Sequence, residues 1–244
     1  MFTGIVEELG TVLSLTKSST VAQWDGSVAE GWTLVIGAAV VLEHAYEGCS
    51  IAVNGACLTV TSFDAASFTV GCAPETMRRT NFGDLRAGSR VNLERAAASD
   101  ARNSGHCVQG HVDGTGDVVD TWPEGDSLWF RVRAPPAILR LMVPKGYVAV
   151  DGTSLTVCDV DAAAGTFTFM LIAYTQARIV VAAKRAGERV NLEADVVAKL
   201  VERSTDGLLG AVTRVEEKVD AALAALGARL DALAARVAAV EARP

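Results

Sequence analysis

Basic charge is scarce: Lys and Arg together number 22 against 29 Asp and Glu, for a net charge of −7. That balance excludes the broad basic footprint that nucleic acid or an anionic lipid surface calls for, so neither partner is expected. Long apolar runs are missing too. One of the two longest stretches without charge, Gly48 to Phe63, is interrupted by Ser50, Asn54, Thr59, Thr61 and Ser62, and it falls short of the roughly 18 apolar residues of a membrane span. Met1 to Gly10 carries neither a basic start nor an apolar stretch, which argues against a secretory signal and leaves a transit peptide removed earlier open. The 5 cysteines are odd in number and far apart, with no C-x-x-C and no His at zinc-finger spacing. Neither a disulfide framework nor a metal site is expected, and the pattern suits free, mostly buried thiols in a reducing compartment, the cytoplasm or an organelle stroma. No dinucleotide-binding glycine signature, Walker loop or nucleophile elbow is present, so no bound cofactor is expected.

What is there is ordinary soluble-protein composition, 50% hydrophobic and 21% charged, arranged in two copies. Met1 to Val12 aligns with Cys107 to Val118, pairing Gly4 with Gly110, Val6 with Val112, Glu7 with Asp113 and Gly10 with Gly116. Asn54-Gly-Ala-Cys-Leu-Thr-Val aligns with Asp151-Gly-Thr-Ser-Leu-Thr-Val, and Ala87 to Glu94 with Ala186 to Glu193. Thr76 and Arg79 fall opposite Thr175 and Arg178. Three blocks in the same order are a duplication.

Each copy reads as short strands, in the first Ile51–Val53, Cys57–Phe63, Ser67–Cys72 and Val91–Leu93. Hairpins are expected at Asn54-Gly55 and Asp151-Gly152, dipeptides that reach positive φ cheaply. Alternation in Cys57-Leu-Thr-Val-Thr and Thr166-Phe-Thr-Phe puts one face on a core. Two small antiparallel barrels bury such faces without leaving edges. Arg78 to Leu85 and Pro135 to Met142 are each expected to add a short helix. After Glu202 the composition turns to Ala, Leu, Val, Arg and Glu, and apolar residues recur at Val219, Leu223, Leu226, Leu230, Leu233, Val237 and Val240. Their alternating four and three spacing is a coiled-coil seam, interrupted backward at Glu216 before Val212. Self-association fits this narrow, Ala-flanked stripe better than packing on the chain's own barrels, and both readings stay open.

Cys57 and Ser154 occupy the same place in the two copies, each two residues before a Thr, Thr59 or Thr156, so each pair shares one strand face. Such a pair suits binding or attack on a polar heterocycle; a small buried hydrophobe and a turn residue are the plain alternatives. His106 and His111 lie in the Gly-rich run that opens the second copy, and His111 falls opposite Ile5, an imidazole that only one copy has. It suits a general base, a hydrogen-bonding group or a surface His alike. His44 carries no signal.

Together, Met1-Phe-Thr-Gly-Ile-Val-Glu-Glu, Asn54-Gly-Ala-Cys-Leu-Thr-Val, Ala73-Pro-Glu-Thr, Val91-Asn-Leu-Glu-Arg-Ala, Gly105-His-Cys-Val-Gln-Gly-His-Val-Asp-Gly, Asp151-Gly-Thr-Ser-Leu-Thr-Val and Val190-Asn-Leu-Glu-Ala-Asp resemble riboflavin synthase of the alpha-chain type, from Met1 to about Arg203. The resemblance implies an all-β fold of two tandem six-stranded Greek-key antiparallel barrels that bind lumazine, over residues 1–105 and 106–203. A C-terminal helix over 204–244 that holds a homotrimer follows, with no cofactor. The family's reaction is a dismutation in which one 6,7-dimethyl-8-ribityllumazine gives a four-carbon unit to another, yielding riboflavin and 5-amino-6-(D-ribitylamino)uracil. In the family the substrate pair lies between the first barrel of one subunit and the second barrel of its neighbour.

Carried over by motif, the resemblance implies a first pocket of Gly4, Ile5, Val6, Cys57, Leu58, Thr59 and the stretch Gly71 to Thr76, including Glu75. It implies a second pocket of Gly110, His111, Val112, Lys145, Ser154, Leu155, Thr156 and the stretch Met170, Leu171, Ile172 to Thr175, with Asp195 as an acid nearby. The 7-methyl group of one lumazine must lose a proton while the other ring is attacked at C7; Ser154, Cys57, Thr156 and His111 are the implied groups, with water a rival nucleophile. Holding two flat rings in register contributes up to roughly 7 to 11 kcal/mol in well-oriented reactions. The second copy departs from the bacterial pattern: Ala173-Tyr174-Thr175-Gln176 stands where Pro-Glu-Thr is usual, which puts contacts from Tyr174 in doubt. The alternative function is a lumazine-binding antenna protein that does not turn over.

Overall fold

The computed structural model describes residues 1–22 and 28–241. The chain divides into two compact units, Met1–Ala198 and Lys199–Pro244. In the first unit the elements run β1 (Glu8–Ala22), β2 (Val28–Gly37), β3 (Ser50–Val53), β4 (Ala56–Phe63), β5 (Ser67–Cys72), α1 (Pro74–Arg79) and β6 (Arg90–Arg95). The second copy follows as β7 (Gly114–Glu124), β8 (Ser127–Arg133), α2 (Pro136–Leu139), β9 (Tyr147–Val150), β10 (Thr153–Thr156), β11 (Asp159–Asp161), β12 (Thr166–Leu171), α3 (Ala173–Gln176) and β13 (Arg189–Ala194). A long helix, α4 (Val196–Glu241), ends the described chain.

The first sheet closes into an antiparallel barrel in the order β1-β2-β5-β4-β3-β6. The second keeps that circular order, β10-β9-β13-β7-β8-β12-β11, but the counterpart of β4 is split in two. Between Thr156 and Asp159 the chain changes partner from β9 to β12, with Val157 N–H donating to the Gly146 carbonyl and Cys158 N–H to that of Thr168. Its two edge strands are therefore halves of one strand, and the six-stranded plan holds with a break.

Inside each barrel the residues alternate as the sequence pattern requires. Leu58 and Val60 point inward from β4 while Cys57, Thr59 and Thr61 face out. Phe68, Val70, Leu34 and Ile36 fill the first core, and Phe130, Phe167 and Phe169 the second. Each such side chain contributes about 1.5 to 3 kcal/mol on full burial. Both expected hairpins form in the left-handed region, with φ of 43° and 81° at Asn54-Gly55 and 43° and 78° at Asp151-Gly152. The two turns meet: a Cβ on Gly55 would lie 2.6 Å from Gly152 N, and one on Gly152 2.6 Å from Gly55 N.

Around these turns Asn92 and Asn191 join the barrels. Asn92 Nδ2 donates to the Asp151 carbonyl (2.8 Å) and Asn191 Nδ2 to that of Asn54 (2.8 Å). The helix expected over Arg78–Leu85 instead starts at Pro74, whose fixed φ suits a first helical position, and stops at Thr80 before a single 3₁₀ turn over Asn81–Asp84. The expected helix near Pro135 is confined to α2. Among the five thiols, all free, only Cys72 is fully buried; Cys49, Cys57 and Cys158 are half-buried and Cys107 is exposed. The thiols are thus less buried than the sequence pattern suggests, since Cys57 faces out of β4 and Cys49, Cys107 and Cys158 lie outside the strands.

The helix begins at Val196, ahead of the compositional change after Glu202, and Asp195 caps it by accepting Val197 N–H at 3.0 Å. Along the second unit Val219, Leu223, Leu226, Leu230 and Leu233 are each at least half exposed. The side chains of Val237 and Val240 lie outside the described residues. No helix among the described residues is long and apolar enough to cross a membrane.

Candidate functional site

The opening segments of the two copies pair with each other: Phe2 and Val108 form an antiparallel bridge, Phe2 N–H to Val108 carbonyl at 2.7 Å. Two buried acids hold these segments in place. Glu94 accepts from Thr3 N (2.7 Å), Thr3 Oγ1 (2.8 Å) and Gly4 N (3.0 Å); Glu193 accepts from Gln109 N (2.6 Å) and His111 N (2.8 Å). Burial pushes the Glu94 carboxyl above its ordinary value, against the lowering effect of the Thr3 donors. Both acids end the repeated Val-Asn-Leu-Glu motif, which marked the duplication but gave no hint of this positioning role.

The crossing exchanges the segments between barrels. The Gly4 carbonyl accepts Ser154 N–H at 2.8 Å, and the Gly110 carbonyl accepts Cys57 N–H at 2.8 Å. Val6 packs on the second core and Val112 on the first. The grouping expected from sequence, Gly4 to Val6 with Cys57 and Gly110 to Val112 with Ser154, is therefore reversed. The reason is that each segment gives its N–H groups to its own acid and its glycine carbonyl to the opposite barrel. Both glycines sit at φ +76°, and an added Cβ would come within 2.6 Å of Ser154 Cβ at Gly4 and 2.7 Å of Cys57 Cβ at Gly110. Only glycine fits at either crossing.

Two outward faces result. On the first barrel Cys57 and Thr59 stand beside the Gly110 to Val112 segment, with His111 exposed, and Thr59 is in register with Ser50. Gly71, next to last in β5, faces the outer side, and Cys72 then leads to Glu75 and Thr76 on α1. Hydrogen bonds from Arg79 and Arg78 hold the Glu75 carboxyl below its ordinary value. On the second barrel Ser154 and Thr156 stand beside Gly4 to Val6, with Met170, Ile172, Tyr174 and Thr175 following along β12 and α3. Lys145 sits at φ +69°, its N–H donating to the Val157 carbonyl at 2.7 Å. Leu58, Leu155 and Leu171 point into the cores, so these three offer a ligand only backbone.

His106, to which sequence reasoning gave no role, is the strongest feature of the second face. Its Nδ1 lies 2.7 Å from Ser154 Oγ, and its ring stacks on Tyr147 at 5.0 Å between centroids and 8° between planes. It is buried, its Nε2 has no partner, and burial pushes its pKa below the ordinary imidazole value, opposed by the charge of Asp195. A neutral imidazole beside a hydroxyl is equipped to take up a proton. The signal in the sequence was only a second His in the same Gly-rich run. Cys57, by contrast, packs beside Phe2, Ala52, Val108 and Ala149.

A cavity of about 580 Å³ borders the first barrel and includes Ile5, Tyr46, Ser50, Glu94, Arg95 and Arg102. Of the candidates only Ile5 lines it, and it touches the first face through Ser50, the neighbour of Thr59. Among the described residues no group of three or more His, Cys, Asp or Glu is placed to hold a metal ion.

The lumazine binding domain model matches the chain twice, at residues 3–96 and 109–195. A riboflavin synthase of Schizosaccharomyces pombe is 45% identical over 204 residues, covering 83% of this chain and 93% of the relative. One from Meyerozyma guilliermondii is 43% identical (84% and 86% covered), and one from Bacillus subtilis 39% (83% and 89%). Among solved structures, LumP complexed with riboflavin superposes with a TM-score of 0.69 at 20% identity, over 80% of this chain and 99% of that one. LumP complexed with 6,7-dimethyl-8-(1'-D-ribityl) lumazine gives 0.67 at 19%, with the same coverage.

Proposed function

This chain belongs to the riboflavin synthase family and carries its lumazine-binding domain twice, and from that membership we propose how its residues divide the work. The activity is the transfer of a four-carbon unit between two molecules of 6,7-dimethyl-8-ribityllumazine, giving riboflavin and 5-amino-6-(D-ribitylamino)uracil. Each barrel forms one half-site with the opening segment of the other copy. The first comprises Cys57, Thr59, Gly71 to Thr76 and Gly110 to Val112; the second comprises Ser154, Thr156, Met170 to Thr175 and Gly4 to Val6, with Lys145 and Asp195 at its margin.

The observation that carries this reading is the Ser154–His106 contact of 2.7 Å on the face where Thr156 also stands. His106 accepts a proton at Nδ1 from Ser154 Oγ, and the alkoxide character this creates lets the pair remove a carbon-bound proton from substrate. Asp195, whose charge acts on His106, stabilises the imidazolium that forms. On the first face Cys57 supplies the polarizable group that adds to C7 of the other ring. The half-sites of neighbouring subunits face each other, so assembly through the C-terminal helix, as a homotrimer, is a condition for turnover. Five free thiols suit a cytosolic or stromal setting, and the net negative charge suits no nucleic-acid or membrane partner.

Identity of 39% to 45% to riboflavin synthases over most of both chains favours turnover over an antenna role. The test is steady-state kinetics of His106→Phe, which keeps a ring against Tyr147 and removes the base. Turnover falls by roughly 10² to 10⁴ with lumazine binding retained, and the acidic limb of the rate profile set by His106 disappears. Unchanged turnover returns His106 to a packing role.

A further inference from the structure

Two identical molecules must take unlike parts, so something in the protein has to make the half-sites unequal. A belt across the outer face of each barrel does so. On the first barrel Thr16 is in register with Thr33, Thr33 with Gly71, and Thr59 with Ser50. One step along the β4–β5 ladder from Val60↔Val70 sets Gly71 beside Thr59 and closes the belt. The same positions on the second barrel are Trp122 in register with Trp129, Trp129 with Met170, and Thr156 with Tyr147.

Hydroxyls and a glycine on one barrel are thus replaced by two indoles, a thioether and a phenol ring around the shared Thr156. The indoles stack at 5.7 Å and 11°, and Arg131 covers Trp122 at 5.4 Å. Tyr174 continues the trend. It stands where the first copy has Glu75, and its ring lies 3.7 Å from the Arg178 guanidinium, whereas Glu75 is ion-paired to Arg78 and Arg79.

The products differ in the same sense. The acceptor becomes riboflavin, whose added ring is an apolar dimethylbenzene, and the donor becomes a polar diaminopyrimidine. Resting on the half-sites described above, we propose that the second barrel holds the acceptor, and that Trp129 and Met170 position the ring that becomes riboflavin, while the first barrel holds the donor. The position of the Ser154–His106 pair points the same way, since the acceptor is the molecule whose 7-methyl carbon must lose a proton.

The transfer balances without a co-reactant. The donor's two ring bonds from nitrogen to C6 and C7 break, and its four-carbon unit forms two carbon–carbon bonds to the acceptor's methyl carbons. The four hydrogens those methyl groups lose are the four that the donor's nitrogens gain. Stacking and S–aromatic contacts from Trp129 and Met170 together read out as about tenfold or more in affinity.

The experiment measures equilibrium binding of riboflavin and of the diaminopyrimidine product to the assembled protein. Trp129→Thr with Met170→Gly gives the second barrel the first barrel's side chains; riboflavin affinity falls about tenfold or more and pyrimidine affinity stays within about twofold. Thr59→Ala does the opposite, weakening the pyrimidine alone. Loss of pyrimidine affinity in the double variant, equal loss of both ligands, or no change in either overturns the assignment. Thr156→Ala separates this failure from a misplaced half-site: if it too leaves both affinities unchanged, the half-site itself is wrong. Should the double variant not fold, Met170→Gly alone, on an exposed strand position, gives the same readout.

Discussion

Asp151 is an acid in the joint between the barrels that folds best without its charge. Its Oδ1 accepts from Asn81 Nδ2 at 3.0 Å and from Asn191 N at 2.8 Å, whereas Asp151 Oδ2 and Asn81 Oδ1 are both buried without a partner. A proton on Oδ2 completes a cyclic acid–amide pair and satisfies both atoms. Burial pushes the carboxyl from 3.8 up to about 6, against the lowering effects of Lys184 and of the Asn191 and Asn81 donors, with Glu188 adding to the rise. Between those values the folded chain binds more protons than the unfolded one, so stability falls as pH rises through the window. At about 1.4 kcal/mol per pH unit the loss amounts to about 3 kcal/mol by neutral pH. Asp151→Asn keeps the amide-like pairing and removes the titration. Denaturant midpoints across roughly pH 4 to 7 should show variant and wild type nearly equal at the acid end and the variant ahead by up to about 3 kcal/mol at the neutral end. A gap that is flat, or that opens toward acid, refutes the neutral-acid assignment.

Gly4→Ala and Gly110→Ala force a Cβ into Ser154 and Cys57 at φ +76°; each costs about 1 to 2 kcal/mol in backbone conformation plus the displacement of its contact, and calorimetry with kinetics should find Gly4→Ala lowering turnover more than melting temperature. Truncation after Arg203 leaves both barrels folded by circular dichroism, because their cores are internal, while light scattering shows the mass falling toward the monomer. Activity of the truncated chain then rises more steeply than linearly with concentration, and a fully active, still-assembled truncation removes the assembly role from the helix.

Strand positions, both hairpins and the duplication were legible because each is a local signal: alternation in Cys57-Leu-Thr-Val-Thr, Asn-Gly and Asp-Gly turns, and matched glycines. The exchange of opening segments was not legible, since a duplicated sequence says which residues are equivalent and nothing about which barrel a crossing segment serves. It depends on where the Gly4 and Gly110 carbonyls find a donor, over 100 residues apart in the case of Gly4 and Ser154. His106 was hidden for the same reason. Its meaning comes from Ser154, far along the chain, and from the burial that lowers its pKa. The split of the second barrel's fourth strand at Val157-Cys158 also escaped, because the residues there are as strand-like as those of β4.

The central claim is that a first-barrel half-site on one chain works with a second-barrel half-site on another. Co-expressing a Cys57→Ala chain with a Ser154→Ala chain tests it most directly, with riboflavin fluorescence from dimethylribityllumazine as the readout. Each variant alone should be nearly inactive. In mixed assemblies about a quarter of the pairings unite an intact Ser154 face with an intact Cys57 face by random association, and activity should recover to about that fraction of wild type. A mixture no more active than the average of its two components contradicts the shared site and puts both half-sites of each working pair on a single chain.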